Sequence, residues 1–400
     1  MVVTTAPTRA NSRVETLDVL RGFAILGILI MNIQSFALVT AAYVNPAAYT
    51  DFSGSNALAW FVSHLIADQK FLSIFSMLFG AGIVLMAQKA VDAGQGALQL
   101  QLRRMAWLML FGLLHGYLLW YGDILFTYAL AGLLLCWLWR LPAALLFVLG
   151  ALLVAVPSAM LVLAVPAGQT PTIAAEMLPF WAPSAEDIER ELTAYRGDWG
   201  QQMPLRFELM SLSLLAFPLQ TFWRVGGLML IGMGLYKIGL LTGAVSPAVC
   251  RRLLLVGLLA GVPLVLLGVL RNYQQGWDVH YLAFFGREYN YWGSIAIALA
   301  YVAAVVRVCQ VGYLPRVRQA LAAVGRLALT NYLMQTVICT TLFYGHGLGW
   351  FGQLERMPLL LLVVVIWAFQ IVFSLLWLRR FAYGPVEWLW RALTYWRFRF

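Results

Sequence analysis

Unbroken apolar runs of about 20 residues recur along the chain, separated by short polar or basic breaks. A helix of roughly 20 residues, at 1.5 Å per residue, spans the hydrocarbon core of a bilayer. The runs are continuous and do not alternate at every second position, which excludes an outer-membrane β-barrel. Ten spans are predicted, at 17–39, 70–88, 104–121, 124–140, 143–165, 217–240, 252–271, 291–309, 325–344 and 358–378. The expected fold class is therefore all-α, a polytopic transmembrane helical bundle. The stretch 57–69 reads as a short interfacial or re-entrant piece ahead of the second span.

Residues 1–16 form a polar N-terminal segment without a signal-peptide pattern, starting a helix through a capping box at Ser12–Glu15. Residues 17–165 make an N-terminal transmembrane half and 204–383 a C-terminal half, joined by an outer loop at 166–203. Within that loop Ser184-Ala-Glu-Asp187 has capping-box form, predicting a short amphipathic helix over EDIERELTAYR. Residues 384–400 begin Gly-Pro-Val-Glu387, with Pro in the first helical turn and an acid near its positive end. The tryptophans and arginines that follow suit an interfacial helix. No short-period repeat is found.

Composition agrees: 62% of residues are hydrophobic and 11% charged, against about 25% charged in soluble domains. The net charge of +10 would suggest nucleic acid in a soluble protein. Here the basic residues punctuate apolar segments, so they report topology, and no nucleic-acid partner is expected. Nineteen of the 27 basic residues and four of the 17 acidic ones fall on one side of the ten-span arrangement. That bias predicts a bacterial inner-membrane protein with both termini cytoplasmic. The cysteines at 136, 250, 309 and 339 stand singly, so no disulfide framework and no metal site are expected.

Polar groups inside the membrane are costly and are the first functional candidates. Asp18 and Arg21 lie three apart on one face of the first span, able to pair or to form a charged floor for an anionic cofactor. Asn32 lies about 21 Å further along that helix. His115, about 16 Å beyond Arg104, reaches a similar depth. A neutral imidazole there can act as base or nucleophile, or simply bond a neighbouring helix. If Gly122 breaks the helix, Asp123 can turn back towards His115. In the ninth span Asn331 and Gln335 share one face, and Tyr332 and Thr336 another. With Arg326 they read either as packing contacts or as lining of the same interior. Lys70, Arg224 and Arg271 stand near outer ends, where long side chains can snorkel. His64, His280 and His346 fall in outer or interfacial stretches.

The strings LDVLRGFAILGILIMNI, KFLSIFSMLFGAG, LLHGYLLWYGDIL, GRLALTNYLMQTVICTTLFYG and GPVEWLWRALTYW resemble the YeiB-like family of bacterial inner-membrane proteins. The resemblance covers about residues 13–396, and its C-terminal part is similar to that family's conserved domain of unknown function. Asp-x-x-Arg-Gly followed by an Asn in the same span also resembles a wider transmembrane acyltransferase superfamily that includes heparan-α-glucosaminide N-acetyltransferase. That resemblance implies acetyl-CoA bound from the cytosol, an acceptor acetylated on the far side, and a homodimer. The superfamily's functional asparagine corresponds to Asn32. Its catalytic histidine would follow soon after, where this chain has Tyr43 and no histidine before His64.

Two functions from different classes fit. In the first, the protein is an acyltransferase for a small-molecule, glycan or lipid acceptor, with His115 as base or acyl carrier, Asn32 as amide donor and Asp123 orienting the imidazole. Asp18, Arg21, Arg326, Asn331, Tyr332 and Gln335 would then bind acyl-CoA, with no metal. In the second, the same polar tunnel passes a metabolite or lipid without chemistry, as a transporter or flippase. The charge asymmetry has a direct check. A tag at residue 400 should be reached by protease in inside-out vesicles alone; protection there, with Lys89 reached from outside, would reverse the orientation.

Overall fold

The computed structural model describes residues 14–164, 170–217 and 221–396, and among these every regular element is helical. Helix α1 (Glu15–Ala37) is followed by α2 (Thr40–Val44), α3 (Gly54–Ile66) and α4 (Lys70–Asp92). Helices α5 (Ala97–Leu118) and α6 (Leu125–Leu135) form a hairpin, and a 3-10 turn, Cys136–Arg140, continues α6. Helix α7 (Ala143–Ala164) precedes α8 (Thr170–Trp181), α9 (Ala185–Arg196) and α10 (Trp199–Ala216). Then come α11 (Phe222–Lys237), α12 (Pro247–Gln274), the single turn α13 (Val279–Tyr281) and α14 (Arg287–Gln310). The chain closes with α15 (Pro315–Arg326), α16 (Ala328–Phe343), α17 (Arg356–Trp377) and α18 (Pro385–Tyr395).

Each predicted apolar segment coincides with a helix. Among the described residues, six helical stretches are long and apolar enough to cross a membrane: Glu15–Ala37, Gly54–Asp92, Ala143–Leu163, Pro247–Gln274, Phe284–Gln310 and Arg356–Trp377. Helices α6, α11 and α16 are shorter, and α5 carries Gln99, Gln101, Arg103 and Arg104 in its first turns. The protein is a multi-pass helical membrane protein.

Burial separates centre from periphery. In α1, 83% of the most apolar window is buried, against 22% in α7 and 28% in α12 and α17. A helix apolar on all sides belongs in the middle, and one whose apolar surface stays open faces lipid. Accordingly α1 packs against α4, α14, α15, α16 and α17. Close approach is made by small residues, as membrane helices require. A Cβ at Gly22 would collide with the backbone carbonyl of Leu321, and one at Gly325 with that of Asp18. The same device joins α4 to α11, through Gly80 against Met229 and Gly232 against Met77.

Several local expectations hold. Ser184 and Asp187 form the reciprocal capping box of α9, and Gly384 with Pro385 begins α18. Residues 54–66 are a separate helix. Others need correction. Helix α1 starts at Glu15, and Ser12 of the expected Ser12–Glu15 capping box lies outside the described residues. Helix α10, started by a second capping box at Asp198–Gln201, takes residues assigned to loop and to the C-terminal half. Lys70 and Arg224 do not snorkel. They are 0% and 7% exposed. Lys70 Nζ donates to Asn290 Oδ1 at 2.6 Å and to the His64 carbonyl at 2.7 Å. Arg224 donates to the Tyr291 carbonyl, Ser73 and Ser294. Asp68 completes this network, accepting from Asn290 at 2.7 Å and lying 3.0 Å from His64 Nδ1.

The Gly22–Gly325 contact generates a stability prediction. Gly325→Ala or Gly22→Ala forces two backbones apart, at about 1–3 kcal/mol for overpacking. Thermal denaturation in mild detergent should show a clearly lowered midpoint for both. Wild-type midpoints would mean that α1 and α15 are not in backbone contact.

Candidate functional site

Helix α5 ends at Leu118, and residues 119–124 loop back before α6 begins. The return is tight because Gly112 lets the start of α6 approach: a Cβ there would meet the backbone nitrogen of Phe126. Asp123 sits in this turn with a fully buried side chain. Its Oδ2 accepts from the Phe126 N–H at 2.7 Å, satisfying one of the orphan donors at the start of α6. Its Oδ1 lies 2.8 Å from His115 Nδ1. Asp123 thus turns back as the Gly122 break suggests.

The other face of the imidazole meets α16. His115 Nε2 is 2.9 Å from Thr336 Oγ1. One turn earlier on α16, the ring of Tyr332 lies 5.2 Å from the imidazole, centroid to centroid, and its hydroxyl accepts from the Ile124 N–H at 3.2 Å. His115 is 3% exposed and Thr336 1%. A carboxylate at Nδ1 keeps the proton on that nitrogen, so Nε2 accepts from the Thr336 hydroxyl. This tautomer is assigned from the hydrogen bonds. Carboxylate, imidazole and hydroxyl in this order form the arrangement by which histidine draws a proton from an oxygen.

Tyr332 also lines a cavity of about 240 Å³ that opens at the basic end of the bundle. Arg21, Lys89, Arg104, Arg326 and Arg391 contribute cations to it, Asp18 and Glu387 the carboxylates. Asp18 and Arg21 pair at 2.9 Å. The Arg104 guanidinium lies 4.7 Å from the Trp390 ring centroid and 5.5 Å from that of Phe79. Its Nη1 is buried with no hydrogen-bond partner. Glu387 binds the start of α16, accepting from the Thr330 N–H at 2.9 Å and from its hydroxyl. An excess of cations and an orphaned guanidinium donor fit an anionic, phosphate-bearing ligand. The enclosed volume is below the roughly 300–1,000 Å³ of pockets that bury drug-sized ligands.

Of the residues singled out from sequence, His115 and Asp123 are in contact, and Asp18, Arg21, Arg326 and Tyr332 line the cavity. Asn331 and Gln335 do not line it. Asn331 donates to Ser374 at 3.0 Å and to the Val324 carbonyl at 3.2 Å. Gln335 donates to Gln370 at 3.0 Å and to the Ile25 carbonyl at 3.1 Å. These bonds make a polar seam between α1, α16 and α17. Asn32 is half-buried with no hydrogen-bond partner among the described residues. It stands one turn before Ser35 and Phe36, which meet Tyr121 at 3.0 Å and the Trp120 ring at 3.9 Å. The roles of Thr336, Lys89, Arg104, Glu387 and Trp390 were missed. The amphipathic pattern of 385–395 held a signal for the last two.

The chain is thus a multi-pass membrane protein with a buried Asp123–His115–Thr336 cluster beside a basic cavity. The chain belongs to the YeiB-like family. It is 38% identical over 389 residues to the uncharacterized protein YeiB of Escherichia coli (strain K12), covering 95% of each chain. It is 31% identical over 417 residues to the uncharacterized protein YxaH of Bacillus subtilis (strain 168), covering 97% of this chain and 96% of the relative. A Bacillus acidopullulyticus protein, named as an uncharacterized 39.9 kDa protein in the amylase 3′ region, is 28% identical over 406 residues, 97% of this chain and 96% of its own. The family model "Protein of unknown function (DUF418)" matches residues 235–397. No solved structure matches the chain significantly.

At the far end, Glu191 of α9 accepts from the Thr40 N–H at 2.9 Å and its hydroxyl at 2.7 Å. Burial holds its carboxyl above the ordinary 4.5, and the Thr40 bonds offset part of that rise. The folded state then binds the proton more tightly than the unfolded chain, so stability falls as pH rises from 4.5 through the folded value. Glu191→Gln keeps the acceptor and removes the charge. It should raise the thermal midpoint at pH 7, with the gain disappearing below pH 4.5; a loss at pH 7 would contradict the assignment.

Proposed function

We propose that the protein is a membrane-embedded acyltransferase that moves an acyl group from cytosolic acyl-CoA to an acceptor on the outer side of the membrane. Ten spans, cytoplasmic termini, a cytoplasmic basic mouth and a homodimer belong to this proposal. The observation that carries it is His115, held between Asp123 and Thr336, with Tyr332 both against its ring and in the wall of the basic cavity.

Arg21, Lys89, Arg104, Arg326 and Arg391 would hold the phosphates, and the apolar wall between Phe75 and Leu125 would receive the acyl-bearing arm. Nε2 of His115 takes the proton from the acceptor's hydroxyl or amine as that atom attacks the thioester carbonyl. When the carbon–sulfur bond breaks, the imidazolium returns the proton to the leaving sulfur, so the histidine ends as it began. Asp123 keeps the reactive tautomer and stabilises the transient imidazolium. Thr336 holds the imidazole at rest and yields its place to the acceptor. Asn32, with its amide unengaged, is the candidate donor to the developing oxyanion.

A transporter would pass its cargo unchanged through the same interior, so covalent transfer decides between the two. Purified protein incubated with labelled acetyl-CoA and membrane extract should move label to an extractable acceptor. His115→Ala and His115→Gln should each lose about 10²–10⁴-fold of that transfer while staying folded, because the glutamine keeps a hydrogen bond and loses the base. Thr336→Val removes a bond made only at rest, so it should not lower that transfer and can raise it by up to roughly 12-fold, the worth of one hydrogen bond of about 0.5–1.5 kcal/mol. Wild-type rates in His115→Gln, or no label moved by the wild type, would defeat the proposal.

A further inference from the structure

The cap at the far end contains a cation with no part in the chemistry above. Arg206 of α10 is 0% exposed. Its Nη1 donates to the Leu118 carbonyl at 2.7 Å and its Nη2 to Gln202 Oε1 at 2.7 Å, both neutral acceptors. Among the described residues no carboxylate pairs with it, and its Nε is buried without a partner. A buried guanidinium with neither counter-charge nor full hydrogen bonding is unfavourable and rare.

It does not stand alone. Tyr195 and Tyr344, 1% and 0% exposed, pack with ring centroids 4.7 Å apart. The hydroxyls of both are buried without hydrogen-bond partners. Arg206 is joined to this pair through Gln202, whose Nε2 lies 3.3 Å from His346 Nδ1, and the His346 ring centroid lies 6.0 Å from that of Tyr344. Two orphaned hydroxyls and the orphaned Nε–H of the guanidinium, supplied by α9, α10 and the end of α16, therefore share one layer, where the Glu191 carboxylate also acts on both phenols. Leu118, which Arg206 grips, closes the helix that carries His115 one turn earlier. Just beyond Leu118, Tyr121 bonds Ser35 and Thr40, and all three are only partly buried.

We propose that Arg206, Tyr195 and Tyr344 form a subsite for an oxyanion, a phosphate or a carboxylate, carried by the molecule that receives the acyl group. A planar guanidinium and two phenolic hydroxyls supply donors and charge to such a group and nothing to a neutral apolar one. The subsite stands one helical turn beyond His115 and opposite the basic cavity, so an acceptor anchored there reaches the imidazole from the side away from acyl-CoA. The word acceptor rests on the acyl-transfer proposal; the anion site does not.

The test uses full-length protein in nanodiscs of uncharged lipid, without acyl-CoA, with thermal stability read against inorganic phosphate and, separately, acetate. Arg104→Gln serves as the background, to remove the orphaned guanidinium of the basic cavity; the anion effect assigned to the subsite is the part that depends on Arg206. One of the two anions should stabilise this protein at millimolar concentration, phosphate marking a phosphorylated acceptor and acetate a carboxylate. Adding Arg206→Gln should abolish the effect. Adding Tyr195→Phe with Tyr344→Phe should weaken it at least tenfold. That pair removes only unpartnered hydroxyls and should fold even if Arg206→Gln does not. No stabilisation by either anion, or stabilisation that survives the double phenylalanine variant, overturns the subsite. Anion binding without acyl transfer would defeat the enzymatic proposal alone, and acyl transfer without anion binding the subsite alone.

Discussion

Where α1 and α15 meet, two backbones touch with no side chain between them. Gly22 faces the Leu321 carbonyl and Gly325 faces the Asp18 carbonyl. Within a bilayer there is little hydrophobic gain from bringing apolar helices together, so contact of this kind rests on dispersion and on small residues. The consequence is positional. The crossing fixes α16, which continues from α15 after the break at Leu327, against the Ile25 turn of α1, while Trp367 of α17 holds the neighbouring Leu26 carbonyl. It thereby sets where Tyr332 and Thr336 stand relative to the α5–α6 hairpin. A shift of one ångström there would lengthen the 2.9 Å contact to His115 beyond hydrogen-bond range.

The polar interior is divided into groups with different demands. The Asn331–Gln335–Gln370 seam and the Lys70–Asp68–Asn290 network spend their hydrogen bonds on one another. They hold helices from both halves of the chain together, and a buried polar network that is largely satisfied rigidifies what it joins. Arg104 Nη1, Arg206 Nε and the hydroxyls of Tyr195 and Tyr344 are left unsatisfied. Those orphans flank His115 at the basic end and at the far end.

Much of the architecture could be read along the chain because the bilayer leaves few choices. Long apolar runs and the Ser184–Asp187 cap each depend on neighbours in sequence, and each maps onto the helices observed. The His115–Asp123 contact was also within reach, since eight residues and a glycine break define one hairpin. Thr336 was not assignable, because its meeting with His115 joins positions 221 apart and depends on the α1–α15 crossing. Asn331 and Gln335 could be placed on an inward face, but only packing decides whether that face meets Gln370 or a cavity. Lys70 and Arg224 were misread because proximity to a helix end suggests an aqueous exit. Here α3 and α14 close over that end and supply the bonds water would have made.

The link between His115 and Thr336 bears on how the chain can be divided. The region matched by the family model, residues 235–397, contains Thr336, Tyr332, Arg326 and the whole of α18. It lacks His115, Asp123, Arg21 and Arg104. A polypeptide built from that region alone would carry half of the cavity wall and the hydroxyl without the imidazole it faces. The Asp123–His115–Thr336 cluster is a property of the junction between the two regions, and neither carries it in miniature.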